Sequence, residues 1–386
     1  MRPPLAKRMQ HIAPFRVMDI LAKAKALEAA GEDVVHMEVG EPDFPAPQQV
    51  IEAARRSLDE GKTHYTPAGG IPALREALSA YYEQKFGVFV DPVRILITPG
   101  ASGALQLVLG VLVDPGDEVC VQDPGYPCNR HMVEMYGGRV VPQPEMVDGV
   151  QASSVLDVVN EATRAVMLAS PANPTGEVIA QAQLKAIYAG LDSKKQALIV
   201  DEIYQGLEYG AEPSTALALG TQGLFVINSF SKYFGMTGFR LGWVVAPEPF
   251  VEPMERLAQN LFLAPPTVAQ YAALAVFDDA VKAELERRRQ VFAQRREILF
   301  QGLKSLGFLL PEKPPQGAFY LYAGVLGIAD SGETLAKTLL EEKRVAITPG
   351  LDFGTQGTQH HVRFAYTTDM NRIEEGLNRL RSFLSV

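Results

Sequence analysis

Asn228-Ser229-Phe230-Ser231-Lys232-Tyr233-Phe234-Gly235-Met236-Thr237-Gly238-Phe239-Arg240-Leu241-Gly242 joins two short apolar runs, Leu224–Asn228 and Gly242–Ala246. Both runs read as buried strands. The linker between them, residues 229–241, is too short and too glycine-rich for the crossover helix that parallel neighbours need, so one of the two strands is expected to run antiparallel. Further out, five more runs of the same kind appear: Val93–Thr98, Glu118–Gln122, Arg139–Val141, Ala165–Ala169 and Ala197–Asp201. Helical periodicity fills segments between them, such as Ala104–Leu112 and Gln181–Leu191. This alternation predicts an α/β fold with a mostly parallel, seven-stranded sheet covered by helices on both faces, three layers in all.

The two ends follow another pattern. Residues 14–31 read as a helix stopped by Gly31, and a charged helix runs from about Val276 through Glu284 to Gly307. After it come a strand at Phe319–Tyr322, a helix near Glu333–Glu342, a strand at His361–Tyr366 and a last helix from Met370. The mixture predicts a smaller α+β domain built from both termini, residues 1–45 plus 276–386, beside a large domain of residues 46–275. No internal repeat or low-complexity linker interrupts this plan.

At 386 residues the chain is too long for one core. Apolar residues at 47% and charged residues at 21% give an ordinary globular balance. The formal net charge of -9 disfavours nucleic acid as a partner. Two cysteines, Cys120 and Cys128, are sparse enough to suggest a reducing compartment and no disulfide. The first eight residues lack the apolar core of a signal peptide, which points to the cytoplasm. Ile95–Val113 carries no charge, but Pro99, Gly100, Ser102, Gly103 and Gln106 break it, so it reads as strand, turn and helix and not as a membrane span. His360 and His361 have no further ligands nearby, so no metal site is expected.

The chemistry concentrates at the carboxyl ends of the strands, where open α/β sheets place ligands. Lys232 sits among Ser229, Ser231 and, eight positions on, Arg240. A lysine amine attacks aldehydes, while serines and arginine hold phosphate, so the group suits capture of a phosphorylated aldehyde. A surface loop with a solvated lysine is the alternative for this triplet taken alone. Asp201 ends a buried strand, where it acts either as a helix cap or as the partner of a ligand cation. Asn173-Pro174-Thr175-Gly176 is a turn signal. Thr98-Pro99-Gly100-Ala101-Ser102-Gly103 opens a helix with small residues, exposing backbone N–H groups to an anion; it is neither a Walker A loop nor a dinucleotide fingerprint.

In this order and spacing the Ser-x-Ser-Lys…Gly-Phe-Arg-Leu-Gly stretch, the Asp201-Glu202-Ile203-Tyr204 strand end and Asn173-Pro174-Thr175-Gly176 resemble the class I/II aminotransferases. These are pyridoxal 5'-phosphate (PLP) enzymes of fold type I. The likeness runs from about Val39 to Arg363. It implies transfer of an amino group from an L-amino acid to a 2-oxo acid, by a ping-pong mechanism with the cofactor held on Lys232 as a Schiff base. It further implies Asp201 at the pyridine nitrogen, Tyr204 and Asn173 at the phenolic oxygen, and Tyr126 stacked on the ring. Ala101, Ser102, Ser229, Ser231 and Arg240 would hold the phosphate. Tyr65 would reach the phosphate of a neighbouring subunit, implying a homodimer. Arg363 and Asn173 would meet the substrate, its α-carboxylate clamped by Arg363, with Gly40 leaving room. Tyr126 as a core aromatic and Arg363 in a structural ion pair are the plainer alternatives. One departure stands out: aspartate-preferring bacterial relatives carry lysine where this chain has Ser102, which argues against strict use of acidic amino acids. Phe15, Phe262 and Phe319 suggest a pocket for alanine, branched or aromatic side chains. A carbon–sulfur β-lyase, or a related lyase or synthase, needs the same lysine, aspartate and arginine. A transcription regulator of this fold is disfavoured, since only about forty residues precede the sheet domain and they hold no basic helix-turn-helix.

Overall fold

Seven strands form one sheet in the computed structural model, which describes residues 3–144, 149–210 and 212–384. They are β1 (Ile95–Thr98), β2 (Glu118–Val121), β3 (Arg139–Pro142), β4 (Thr163–Ala169), β5 (Ala197–Asp201), β6 (Leu224–Ser229) and β7 (Gly242–Val245). Their spatial order is β1-β7-β6-β5-β4-β2-β3. Only β7 opposes its neighbours: it pairs antiparallel with β1 and β6, and the other pairings are parallel. The short 229–241 loop thus returns the chain antiparallel, as its length required.

Alternation along each strand splits the core into two layers. Ile95, Ile97, Leu198, Val200, Val226 and Trp243 pack on one face. Leu96, Ala197, Ile199, Phe225, Ile227 and Val244 pack on the other. The first layer is closed by helices that include Gln48–Asp59, Pro72–Phe86 and Thr267–Ala273, the second by Gly100–Leu112 and Glu248–Leu261. Each fully buried Val, Leu or Ile contributes about 1.5–3 kcal/mol, so the sheet and its two helical layers are the rigid base for everything at its edge. Trp243 is placed by a hydrogen bond from its Nε1 to Tyr82 Oη, 3.0 Å.

A second core lies beside the sheet. β8 (Tyr320–Gly324), β9 (Thr348–Pro349) and β10 (His361–Ala365) form an antiparallel sheet in the order β9-β10-β8. Val35–His36 pairs in parallel with Val345–Ala346, tying the N-terminal segment to this unit. The helix Asp279–Ser305 runs through both cores: Val281 and Leu285 pack with the first, Phe292, Leu299 and Leu303 with the second. At 27 residues it spans about 40 Å. We propose the division at 46–275 against 1–45 plus 276–386 on this segregation of cores, with the first turns of that helix anchored to the sheet. Residues 1–2 and 385–386 of the smaller part lie outside the described residues.

Some boundaries differ from the sequence pattern. β1 starts at Ile95 because Pro92–Arg94 forms a 3-10 turn, capped by the Asp91 carboxylate, which accepts from Val93 N. The charged helix starts at Asp279, since Leu274–Phe277 is also a 3-10 turn. The helix near residue 333 is regular only over Gly332–Thr338 and widens into a π turn at Leu339–Lys343.

Candidate functional site

A cavity of about 260 Å³ opens where the carboxyl ends of the parallel strands meet the second unit. Lys232, Asp201, Tyr204, Asn173, Tyr126, Ala101, Ser102, Ser229, Ser231, Arg240, Gly40 and Arg363 all line it. Tyr65 does not; it stands 82% exposed on its own chain. Phe15 lines the cavity, whereas Phe262 and Phe319 do not. Phe319 is fully buried in the second core, and Phe262 packs beneath the second layer of the sheet. The apolar run around them signalled core, and the pocket's actual apolar wall comes from Phe15, Val17 and Met18 together with Leu105 and Met132.

Lys232 follows β6 and extends across the cavity, where Nζ donates to Gly40 O at 2.7 Å. Burial pulls its pKa down to about 8; Glu41 raises it, Arg363 and Arg240 lower it further, and Asp201 raises it. A fraction of this amine is therefore neutral near physiological pH, the form that attacks a carbonyl. Asp201 closes β5, with Oδ1 accepting from Ile203 N at 3.0 Å. Burial lifts its pKa to about 6, offset by that N–H and by Lys232. Such a carboxylate is stabilised by any cation brought against it. No helix follows Asp201 directly, so it is not a helix cap: its Oδ1 closes the turn that follows β5, and the residue still lines the cavity.

At the other end lies a cradle of backbone and hydroxyl groups. Ser229 Oγ accepts from Ser231 N at 3.0 Å and lies 2.9 Å from Ser231 Oγ. The helix Gly100–Leu112 begins beside them, with Ala101 and Ser102 in its first turn. Gly100 takes φ +71°, and a Cβ there would come within 2.8 Å of the Arg240 guanidinium. Arg240 adopts φ +52°, uncommon outside glycine, and its Nη1 donates to Thr237 O at 3.0 Å. Two serines, an arginine and a helix N-terminus converge on one place, which is the chemistry of a phosphate site.

Arg363, in the middle strand of the small sheet, enters from above. Nη1 donates to Asn173 Oδ1 at 2.8 Å and Nη2 to Glu38 O at 2.5 Å. Its Nε is buried with no hydrogen-bond partner. The guanidinium lies 4.3 Å from the Tyr320 ring centroid and 4.7 Å from that of Phe353. It makes no ion pair with a carboxylate among the described residues, so a positive charge is held ready for an anion. Tyr126 precedes the helix Pro127–Met135 and meets Phe15 edge-on at 6.2 Å. Tyr204 Oη is 2.6 Å from Tyr320 Oη. The sequence reading missed Tyr320: as the first residue of a strand in another unit, it reaches the cavity only through pairing of that strand with β10. Cys120 and Cys128 are both free thiols.

The sheet with one reversed strand, a buried lysine after β6 and a smaller α+β unit over the strand ends define the fold type I class of transferases. The chain belongs to the aminotransferase class I and II family, whose description matches residues 32–380. It is 37% identical over 383 residues to a (5-formylfuran-3-yl)methyl phosphate transaminase of Methanocaldococcus jannaschii, covering 99% of this chain and all of that one. It is 36% identical to a valine–pyruvate aminotransferase of Mycobacterium tuberculosis, covering 97% of each chain. Among solved structures, an aspartate aminotransferase from Thermus thermophilus with maleate superposes with a TM-score of 0.93 at 33% identity, covering 99% of this chain and 100% of that one. The protein is thus an aminotransferase, and its family works with pyridoxal phosphate. No helix among the described residues is long and apolar enough to cross a membrane.

Proposed function

We propose that this chain moves amino groups between L-amino acids and 2-oxo acids with pyridoxal phosphate held on Lys232. The observation that carries the reading is the Lys232 amine, drawn down to a pKa of about 8, in one cavity with Asp201, the Ser229–Arg240 cradle and Arg363. The residues fit the cofactor in kind: an amine for its aldehyde, a carboxylate for its pyridinium, and hydroxyls, backbone N–H groups and arginine for its phosphate. When bound, the cofactor supplies an aldehyde that captures the substrate amine and a ring that absorbs the electron pair left at Cα. Lys232 Nζ takes and returns the proton at the substrate Cα. Asp201 keeps the pyridine nitrogen protonated. Tyr204 and Asn173 hold the phenolic oxygen, Tyr126 stacks on the ring, and Ala101, Ser102, Ser229, Ser231 and Arg240 bind the phosphate. Arg363 clamps the substrate carboxylate, which satisfies its unpaired Nε. Gly40 keeps the floor open: a Cβ there would overlap the Tyr320 hydroxyl.

Adding candidate amino acids to the loaded protein tests this. Its visible absorbance should shift to that of the pyridoxamine form, and a 2-oxo acid should restore it. Ammonia and pyruvate released without that shift would mean a lyase instead.

The exposed Tyr65 favours a homodimer in which each chain completes its partner's phosphate site. A phenol donating to a charged acceptor contributes about 1.5–3 kcal/mol. Mixing Tyr65→Phe with Lys232→Ala should therefore raise activity above either parent, because one site in the mixed dimer carries both changes and the other neither. No gain despite verified subunit exchange would remove Tyr65 from the partner's site. The cytoplasm is the proposed compartment, in keeping with two free thiols.

A further inference from the structure

Tyr320 opens β8 and is buried, with its ring and hydroxyl against three parts of the cavity. Its Oη sits 2.6 Å from Tyr204 Oη and has no other hydrogen-bond partner among the described residues. On its other side the hydroxyl is walled by Gly40, where even a Cβ would overlap it. Gly40 is also the residue whose carbonyl accepts from Lys232 Nζ. The Tyr320 ring, meanwhile, carries the Arg363 guanidinium at 4.3 Å. One side chain therefore touches the phenol, the clamp and the segment that holds the lysine.

The direction of the Tyr204–Tyr320 bond follows from counting protons. Each phenol has one, and burial pushes both pKa values up, so both keep it at neutral pH. If Tyr204 is to donate to the cofactor's phenolic oxygen, it has no proton left for Tyr320 and must accept from it. Tyr320, closed in by Gly40, has Tyr204 as its acceptor. Hydrogen bonds in such a chain polarise one another, so a Tyr204 that accepts is also a stronger donor.

Resting on the cofactor reading above, we propose that Tyr320 is a positioning residue that donates to Tyr204, turns that phenol's proton toward the cofactor, and supports Arg363 with its ring. Two functions are thereby placed on one side chain, and they separate by substitution. Tyr320→Phe removes the hydroxyl and keeps the ring under Arg363. Tyr320→Leu removes both, including a cation–π contact.

The test follows the pH dependence of the bound cofactor's visible absorbance, together with kcat and KM for an amino acid. A weaker donor at the phenolic oxygen raises the proton affinity of that oxygen and of the group conjugated with it. Tyr320→Phe should therefore move the absorbance midpoint upward by roughly half a pH unit, lower kcat severalfold and leave KM within about twofold. Tyr320→Leu should show the same shift and also raise KM by roughly tenfold. Gly40→Ala, which presses a Cβ on the same hydroxyl, serves as a second route: it should shift the midpoint in the same direction, and combining it with Tyr320→Phe should add nothing to that shift. An absorbance midpoint in folded, cofactor-loaded Tyr320→Phe equal to that of the parent overturns the proposal, whatever KM does. A parent protein that binds no cofactor absorbing in the visible would instead remove the reading beneath it, a result seen before any variant is made.

Discussion

Lys232→Ala is expected to abolish turnover while the protein still folds and still binds pyridoxal phosphate weakly through the Ser229–Arg240 cradle. The lysine is the only amine among the cavity's lining residues. On the proposed function, removing it would take away both the covalent tether and the base for the Cα proton, and the other basic groups of the cavity, Arg240 and Arg363, are guanidiniums that form no such tether. The fall should reach the background of the assay, and added cofactor should not restore activity. The depressed pKa has its own signature. Capture of pyridoxal phosphate by the cofactor-free parent needs the neutral amine, so its rate should climb as pH rises, with a midpoint near 8 instead of the ordinary lysine value of 10.5. Stopped-flow absorbance measures this directly. A midpoint at the ordinary value would mean that the amine is not desolvated as the structure has it.

Asp201→Asn is the second large effect. The substitution keeps the shape and one acceptor oxygen, so Ile203 N retains its acceptor in the turn after β5. What would disappear, on the proposed function, is the charge that Asp201 offers to the pyridinium. Breaking a buried charge pair typically costs about 3–5 kcal/mol, which in a transition state is a fall of about 10²–10⁴ in rate. The pH dependence has a definite sign. Burial raises the pKa of Asp201 to about 6 in the cofactor-free chain. Its carboxylate is ionised above that value and protonated below it, so affinity for the protonated pyridine ring should weaken as pH falls through about 6 in the parent. The Asn variant should lose this dependence. Near-normal turnover with cofactor bound would reduce Asp201 to the acceptor of a structural turn.

The strand ends were legible because the sheet is buried on both faces. Its strands read as short apolar runs, and β5 and β6 stop at polar residues, Asp201 and Ser229, that line the cavity. The reversed strand was legible from loop length alone. The residues before and after the sheet were harder. The helix Asp279–Ser305 serves two cores with one stripe: Val281, Leu285, Phe292, Leu299 and Leu303 recur at helical spacing, a pattern that reveals the helix but not that its two ends meet different cores. Phe319 and Tyr320 are adjacent in sequence, yet one is core and the other cavity wall. That distinction is set by how β8 pairs with β10 and where Gly40 passes, neither of which local pattern contains. Tyr65 shows the same limit from the other side. Its position in a glycine-rich turn was readable, but in a single chain it faces solvent.

The account stands or falls on which amine holds the cofactor. Borohydride reduction of the loaded protein, followed by proteolysis and mass mapping, fixes the pyridoxyl group to its lysine. The label should appear on the peptide containing Ser231-Lys232-Tyr233 and be absent after Lys232→Ala. A pyridoxyl group on any other lysine, or labelling unchanged in that variant, would contradict the assignment.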